Sequence, residues 1–342
     1  MDQKKQVKLA DVCAAARVSS ATVSRVLNNQ SGVGDELRQK VLATMRDLNY
    51  VPRAAARNLS RAKSDTIGIV FQDLTPGFLL TVFRGIMTRA SSAGYHVLTA
   101  LSTEAGDEMD LPLRLLAERR VDGLIWYDPR ATVRAVNNLV RETVPFVLLQ
   151  RKLASADVSS VYIECEDSAA EMMHHLVGLG YRRIMLVTGA ETDEDSARKL
   201  AAARRVADKH GVKLPADRIL VGHHVGTHAV RALAAYVESG KRMPDAIFAF
   251  NDDMALGIMN WLRQRGVRVP EDVAVVGFDG VAEAEWVGLT TVQTPMYDMG
   301  VLAMQMLVDR LSGSANAEKA RQVVLKGQLV VRNSCGAGQR KR

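Results

Sequence analysis

A short segment near the start of the chain combines small polar side chains with a single arginine. Residues 18–29 have the sequence VSSATVSRVLNN, which is rich in serine and threonine and contains one arginine. At helical spacing, Val23, Val26 and Leu27 fall on one side and can pack inward. The other side presents small polar residues that clear the sugar-phosphate walls of a groove, where Arg25 can reach a base edge. This pattern is typical of a helix that enters a DNA groove.

Two neighbouring helices are predicted to hold this helix in place. Residues 8–16 and 35–48 have apolar residues at helical spacing, and Ser19 is a good N-cap for the helix of residues 20–28. Two short helices joined by a tight turn and braced by a third form a helix-turn-helix arrangement. Residues 54–61 are helix-prone but only about two turns long, so they should fold only when a partner pins them.

The charge of the chain is concentrated in this first part. Residues 1–63 contain 12 Lys/Arg and 5 Asp/Glu, whereas the other 279 residues contain 33 of each sign. The net charge of +7 therefore belongs to the first fifth of the chain. A solvated basic tail would give the same excess. Apolar residues at helical spacing instead indicate a folded module, whose positive field suits a polyanion such as nucleic acid.

From Thr66 onward, short apolar strands alternate with helices, which predicts parallel sheets covered on both faces. The predicted strands are residues 67–71, 96–101, 123–127, 146–150, 161–165, 184–188, 219–222, 246–250 and 273–278. Nine strands fit two doubly wound units better than one sheet, with a break near residues 165–167. A ligand should then bind in the cleft at the carboxyl ends of the strands.

Blocks of sequence along almost the whole chain resemble one known family. The blocks are LADVCAAARVSSATVSRVLNN, LRQKVLATMRDLNYVPRAAARNLSR, IGIVFQDLTPGF, RVDGLI, GYRRIMLVTG, AIFAFNDDMALGI, GVRVPEDVAVVGFDG and LTTVQTP. Their order and spacing are similar to those of the LacI/GalR family of bacterial transcription regulators. The resemblance implies a sequence-specific DNA-binding regulator, a repressor, that binds a palindromic operator as a homodimer. A small-molecule effector, a sugar, sugar acid or related metabolite, would control it.

The resemblance also implies a fold class and a division of the chain. The fold would be α/β, with an N-terminal helix-turn-helix module and hinge helix, then two doubly wound parallel-sheet subdomains of periplasmic-binding-protein-like type. Residues 1–62 would form the DNA-binding headpiece, with the hinge helix at about 53–61. Residues 63–332 would form the effector-binding and dimerisation core, and residues 333–342 a disordered tail.

Within the core, two subdomains would each be built from two stretches of chain. The N-subdomain would comprise about 66–164 plus 296–323, and the C-subdomain about 165–292 plus 324–332. Tetrameric members of the family end in an additional leucine-heptad helix. The ending LVVRNSCGAGQRKR is short and basic and has no heptads, so a dimer is expected.

The DNA contacts that the family resemblance implies lie in the headpiece. Ser20, Ala21 and Arg25 match the positions of the recognition helix that read bases. Arg25 can pair with both acceptors of a guanine, a contact worth roughly 1–3 kcal/mol of discrimination, although a phosphate contact is the alternative. Contacts to the DNA backbone or the minor groove are implied for Thr22, Ser24, Asn28, Arg53, Arg57 and Leu59.

Leu59 matches the hinge leucine that inserts into the minor groove at the operator centre together with its dimer mate. Such a wedge unstacks a base step and bends the DNA. The alternative is a core leucine, but the alanines and polar residues around it, AAARNLSR, offer little core to join.

The effector residues that the resemblance implies follow the predicted strands or face them. They are Asp73, Phe78, Gln150, Arg151, Lys199, His224, Asn251 and Asp279. Carboxylates and amides at strand ends suit polyhydroxyl ligands, because they accept and donate paired hydrogen bonds. Arg151, Lys199 and His224 together hint at an acidic sugar or a phosphorylated ligand. The neighbouring Asp252 is predicted to be a helix cap.

Arg17 departs from the family, which usually has glycine in the turn between the first two helices. A non-glycine residue at positive φ there would cost roughly 0.5–1 kcal/mol, and the turn could be slightly altered.

Two other classes of protein fit the sequence less well. An enzyme is disfavoured because no GxGxxG or GxxxxGK[ST] follows a strand, and no GxSxG or HExxH occurs. A secreted solute-binding protein would share the core fold, but it would need a signal peptide, and the start MDQKKQVKLAD lacks an apolar core. The three cysteines are far apart without CxxC spacing, which favours reduced thiols over a zinc site. We therefore expect a cytoplasmic protein, on the nucleoid when operator-bound, with no cofactor, no metal and no membrane partner.

Overall fold

The structure is a computed structural model of the chain. It describes residues 7–27, 31–50, 63–71, 77–101, 107–127, 133–141, 144–151, 158–313 and 320–338. The chain divides into two compact units, Met1–Asp65 and Thr66–Arg342. None of the helices in the described ranges combines the length and the apolar character needed to cross a membrane.

The first unit contains three short helices. They are α1 (Leu9–Ala16), α2 (Ser20–Leu27) and α3 (Asp35–Asp47). Their shared core consists of Val12, Ala16, Val23, Val26, Val41 and Met45. These residues recur at helical spacing on each helix, so the predicted helix-turn-helix arrangement with its bracing third helix is confirmed.

The turn between α1 and α2 contains a non-glycine residue with positive φ, the possibility considered for Arg17 from the sequence. Arg17 ends α1 in the left-handed region, at φ 57° and ψ 47°, where glycine is the usual residue. The N–H groups of Arg17 and Val18 donate to carbonyls of the last turn of α1, at 3.3 and 3.1 Å. The Ser19 hydroxyl then accepts from the Thr22 N–H at 3.1 Å, which caps α2 as predicted.

The second unit begins with a six-stranded parallel sheet. Its strands are β1 (Thr66–Phe71), β2 (His96–Leu101), β3 (Gly123–Tyr127), β4 (Phe146–Leu149), β5 (Ser159–Glu164) and β11 (Gln322–Lys326), in the order β11-β5-β4-β3-β1-β2. Its helices are α4 (Phe78–Ser92), α5 (Asp107–Ala117), α6 (Val133–Arg141) and α12 (Met296–Leu311). Ile69 and Phe71 pack into one cluster and Val70 into another, so both faces are covered.

Two glycines allow α4 and α12 to pack closely. A Cβ atom at Gly85 would collide with the Tyr297 carbonyl oxygen, and one at Gly300 would collide with the Val82 carbonyl oxygen. Residues with side chains at these positions would push the helices apart. The C-terminal helix α12 is therefore fixed to the first sheet.

A four-stranded parallel sheet forms the other half of the second unit. Its strands are β6 (Ile184–Thr188), β7 (Ile219–Val221), β8 (Ala246–Ala249) and β9 (Ala274–Val276), in the order β7-β6-β8-β9. Its helices are α7 (Glu166–Gly178), α8 (Glu194–Lys209), α9 (Gly226–Glu238), α10 (Asp252–Gln264) and α11 (Ala282–Trp286). Beside it, β10 (Thr291–Gln293) pairs antiparallel with β12 (Gln328–Val330).

The chain passes between the two halves three times, and the third passage lies later than expected. It passes between β5 and α7, between β10 and α12, and between β11 and β12. The expected end of the N-subdomain at residue 323 is wrong, because β11 runs on to Lys326 in register with β5. The third passage is therefore at Gly327.

The expectation of a disordered tail from residue 333 is wrong for residues 333–338. The Ser334 hydroxyl accepts from the Thr290 N–H at 2.8 Å and donates to the Val275 carbonyl at 2.6 Å. The Tyr181 hydroxyl donates to the Cys335 carbonyl at 3.0 Å. Ser334 and Cys335 are buried, and these bonds satisfy the polar groups that burial removes from water. Residues 339–342 lie outside the described residues.

Candidate functional site

The structure places the three predicted base-reading residues on one face of α2. Ser20, Ala21 and Arg25 are exposed, while Val23 and Val26 on the other side are buried. Thr22 and Ser24 are half-buried at the edge of that face. Of the other residues predicted to contact DNA, Asn28, Arg53, Arg57 and Leu59 lie outside the described residues.

A cavity of about 330 Å³ lies where the strands of both sheets end, and we call it the cleft. Seven predicted effector residues line it: Phe78, Gln150, Arg151, Lys199, His224, Asn251 and Asp279. Those that follow a strand meet because parallel strands of each sheet present their carboxyl ends at the same edge, and Lys199 reaches the cleft from α8. The eighth, Asp73, lies outside the described residues.

Lys199 is held by protein groups as well as facing the cleft. Its ammonium lies 2.8 Å from a carboxylate oxygen of Asp195, donates to the Phe250 carbonyl at 3.2 Å and sits 3.9 Å from the Phe278 ring centre. Burial is the largest single influence and would lower the pKa of Lys199, but the charges of Asp195 and Asp279 and the hydrogen bond to Asp195 act together with smaller contributions to raise that pKa.

Asp195 is the matching half of this pair. Burial alone would raise the pKa of Asp195, but the Lys199 charge and hydrogen bond bring it below its usual value. Arg198 lies 3.5 Å from the other carboxylate oxygen of Asp195. Asp195 therefore stands between two cations and neutralises part of the positive charge on this wall of the cleft.

His224 and Asn251 form a second connected group. The His224 Nε2 atom lies 2.6 Å from a carboxylate oxygen of Asp193. The Asn251 amide donates to the His224 carbonyl at 2.9 Å, and its oxygen accepts from the Met254 N–H at 3.0 Å. Gly189 makes this possible, because a Cβ atom there would collide with the His224 ring.

Asp279 follows β9 and contributes a further carboxyl group to the cleft. Burial is the main cause that raises its pKa well above the usual value, and the neighbouring carboxylates of Asp252 and Asp195 raise it further. The charge of Lys199 opposes this rise. A carboxyl group whose protonated form is favoured can donate a hydrogen bond as well as accept one.

Backbone strain is concentrated around the cleft. Among the described residues, eight non-glycine residues have positive φ, and four of them line this cavity. They are Gln150 at 54°, His223 at 53°, His224 at 60° and Asp279 at 126°. Such conformations cost of order 1–3 kcal/mol each and cluster at sites where a side chain must be aimed. The strain is independent support for a functional cleft.

Sequence reasoning did not identify several residues of the cleft. They include Tyr127, Asp193, Asp195, His223, Phe278 and Thr294. Asp193 and Asp195 follow β6 as the predicted residues follow their own strands, so the same rule could have found them. The acidic run TDEDS that contains them instead suggests solvated residues at a helix start, and Asp193 is indeed the N-cap of α8.

The prediction for Asp252 was wrong in its detail. Asn251 is the N-cap of α10, since its side chain accepts the Met254 N–H. The Asp252 carboxylate instead accepts from the backbone of residues 280 and 281. Within the described ranges, no three or more His, Cys, Asp and Glu side chains form a group that could hold a metal ion.

Comparison with known proteins assigns the chain to a family. The family model of bacterial regulatory proteins of the lacI family matches residues 8–53, and that of the periplasmic binding protein-like domain matches residues 173–335. Catabolite control protein A from Priestia megaterium is 32% identical over 304 residues, which cover 88% of this chain and 91% of that protein.

Solved structures agree with this assignment. The lac repressor dimer bound to operator and the anti-inducer ONPF has a TM-score of 0.84 at 28% identity, and the match covers 97% of this chain and 99% of that one. The transcriptional regulator CelR in complex with cellobiose has a TM-score of 0.70 at 27% identity, covering 96% and 99%. This chain is therefore a member of the lacI family of bacterial regulatory proteins, with a helix-turn-helix DNA-binding unit followed by a periplasmic binding protein-like unit.

Proposed function

We propose that the protein is a transcriptional repressor that binds a palindromic operator as a homodimer and responds to a small molecule in the cleft. The observation that carries the DNA-binding half is the exposed face of α2, where Ser20, Ala21 and Arg25 lie opposite the buried Val23 and Val26. The similarity to a lac repressor dimer bound to operator supports the same mode of action. Such a regulator works in the cytoplasm, where it reaches the nucleoid.

Arg25 is proposed to read a base, and the flanking residues are proposed to set the position of the helix on the DNA. Arg25 lies one turn after Ala21 on the exposed face of α2, where its guanidinium can bond guanine O6 and N7 while Ala21 contacts a thymine methyl. For Thr22, Ser24, Asn28, Arg53 and Arg57 we propose contacts to the backbone or the minor-groove edges. Leu59 is proposed as the wedge at the operator centre.

We expect Arg25→Ala to lose discrimination at one base pair of each operator half-site. One guanine contact is worth roughly 1–3 kcal/mol, so the preference there should fall by about 5- to 150-fold. Genomic fragments retained by the protein at fixed salt supply the operator, and gel shifts on single-base variants measure the ranking. Lys8→Ala, which removes an exposed cation before α1, is the control and should weaken all sequences alike. An Arg25 variant that keeps the wild-type ranking would refute the base-reading role.

The same gel shifts and retained fragments test whether the protein binds as a homodimer and whether the operator is palindromic. The expected stoichiometry is two chains per operator, and the retained fragments should share two inverted half-sites. Binding of single chains to half-sites with undiminished affinity would contradict the dimer.

For the effector, we propose a neutral polyhydroxyl compound. Lys199 and His224 lie at 2.8 and 2.6 Å from Asp195 and Asp193, so two of the three groups that hinted at an acidic ligand already have anionic partners, and Arg151 is the third. The carboxyl group of Asp279 and the amide of Asn251, both in the lining of the cleft, suit hydroxyl groups. The similarity to CelR in complex with cellobiose supports a sugar.

A thermal-shift screen tests this ligand class. The sugar panel consists of D-ribose, D-glucose, D-galactose and cellobiose, with D-gluconate and D-glucose 6-phosphate as charged counterparts. A ligand stabilises the folded state in proportion to the logarithm of its concentration over Kd. Neutral members should raise the melting temperature more than the two anions. If the two anions raise the melting temperature more, the effector is a sugar acid or sugar phosphate and the proposed neutral class is wrong.

A further inference from the structure

Asp252 is a buried carboxylate that does not line the cleft. Its side chain is fully buried at the start of α10. One carboxylate oxygen accepts from the N–H groups of Gly280 and Val281, at 2.7 and 2.9 Å. The other accepts from the Thr291 hydroxyl at 2.6 Å. Burial raises the pKa of Asp252 to about 6, and these hydrogen bonds oppose that rise. Because burying a carboxylate is unfavourable, the buried and hydrogen-bonded carboxylate of Asp252 indicates a specific structural or functional role.

The two N–H groups belong to the residues that directly follow Asp279. Asp279 itself has a φ of 126°, which an L-residue rarely adopts. On its other side, its N–H donates to the Val292 carbonyl at 2.9 Å, and its carbonyl accepts from the Thr294 N–H at 2.8 Å and hydroxyl at 2.9 Å. The segment 279–281 is therefore held from two directions, by Asp252 and by residues 292–294.

Two glycines show how closely this segment is packed. A Cβ atom at Gly280 would lie 2.6 Å from the Gln293 Cα atom, and one at Gly277 would collide with a carboxylate oxygen of Asp252. The packing leaves little freedom for the segment while the Asp252 bonds persist. Without these hydrogen bonds, relaxation of the strained Asp279 backbone would lower the free energy of the protein.

We propose that Asp252 is a positioning residue for effector recognition: through the backbone of Gly280 and Val281 it holds Asp279 in its strained conformation, with the carboxyl group in the cleft. This assignment rests on the proposed binding of an effector there. Asp252 acts without touching the effector. An asparagine in its place can still accept from both N–H groups with its oxygen and donate to the Thr291 hydroxyl with its N–H₂ group, so the substitution weakens these bonds by removing the charge.

The first test needs no ligand. Amide hydrogen exchange at Gly280 and Val281 reports local opening of the segment. Asp252→Asn should speed exchange there by about 10-fold or more, since hydrogen bonds to a charged group are the strong ones. Thr291→Val, which removes one bond and keeps the shape, should speed it by about 3- to 10-fold. If circular dichroism shows that Asp252→Asn does not fold, Thr291→Val serves as the test variant in its place.

The matched control is Asp245→Asn. Asp245 lies at the other end of β8 and also holds a backbone N–H, that of Arg183 at 3.1 Å. This control should leave exchange at residues 280 and 281 at the wild-type rate. Unchanged exchange in both Asp252→Asn and Thr291→Val would overturn the proposal.

A spectroscopic signature separates positioning from a merely structural role. The carboxyl carbon resonance of Asp279 gives its titration midpoint, which depends on the nearby charges of Lys199, Asp195 and Asp252. Removing the Asp252 charge should move that midpoint to lower pH, whereas Asp245→Asn should leave it in place. Thr291→Val keeps the Asp252 charge but removes one of its hydrogen bonds, so a moved midpoint in this variant reports a change in the position of Asp279. An unmoved midpoint in Asp252→Asn would show that the two carboxyl groups are not linked and would overturn the proposal.

The sugar panel provides the last readout. For any member that wild type binds, Asp252→Asn should weaken binding by about 10-fold or more, and Asp245→Asn should bind as wild type does. Undiminished affinity in Asp252→Asn would overturn the positioning role. If wild type binds no member, the proposed effector class fails, while the exchange and resonance measurements still decide the role of Asp252.

Discussion

Asp279→Ala is expected to abolish the response to the effector while operator affinity without the effector stays near wild type. Asp279 contributes a strand-end carboxyl group to the cleft, and a hydrogen bond that involves such a group is worth about 1.5–3 kcal/mol. Affinity for a bound sugar should therefore fall by about 10- to 150-fold. Calorimetry with the tightest-binding member of the sugar panel measures affinity, and gel shifts with and without that sugar measure the response.

The stability of the same variant separates loss of binding from loss of folding. The pKa of Asp279 in the folded protein is raised above its unfolded value of 3.8. Folding therefore loses stability as pH rises from that unfolded value toward the folded pKa, because the folded state resists ionisation. Removing the carboxyl group should leave the protein at least as stable at neutral pH, as judged by urea denaturation. An Asp279→Ala protein that folds and responds with unchanged sugar affinity would show that the effector binds elsewhere.

Asp195→Ala should strongly destabilise the second unit. Lys199 is only 4% exposed, and Asp195 is the carboxylate that pairs with its ammonium at 2.8 Å. Removing one partner of a buried pair leaves an uncompensated charge and costs about 3–5 kcal/mol. Urea denaturation should show this loss as a lower midpoint with an unchanged slope.

Two further variants check the cause of that loss. Asp272→Ala breaks an exposed pair with Arg268 at 2.7 Å and should change stability little, because solvent screens such pairs. Asp195→Ala combined with Lys199→Met should recover much of the loss, since no buried charge remains. A double variant as unstable as Asp195→Ala would mean that packing of the Asp195 side chain, and not its charge, holds this wall.

The elements that a periodic pattern marks were predictable, and the short or exposed ones were not. The buried strands β1 and β6 are continuous apolar runs, so their existence followed from hydropathy alone. Strand β11 alternates between exposed and half-buried residues at the edge of its sheet, and β10 and β12 have three residues each. Their pairing depends on distant partners, such as Val161 for Val323, that local sequence does not reveal.

The cleft shows the same division between local and distant information. Seven residues could be placed there because the family resemblance implies them, and for those that follow a strand the strand-end rule gives the same place independently of side-chain detail. The pairing of Lys199 with Asp195 and of His224 with Asp193 depends on side-chain positions that the sequence does not give. Without those distances the cations looked available for an acidic ligand. The role of Asp252 was hidden for the same reason, because its hydrogen-bond partners lie 28 or more residues away.

The late return of the chain to the six-stranded sheet constrains the order in which the two halves can fold during translation. The edge strand β11 lies at Gln322–Lys326, after all four strands of the second sheet. Any continuous stretch that contains the complete first sheet therefore contains the complete second sheet as well. During synthesis the half nearest the N-terminus must wait, partly formed, until nearly the whole chain has emerged. The second half also needs β12 and residues 334 and 335, which follow β11, so neither half is complete before the other and the usual N-terminal-first order of folding does not apply between them.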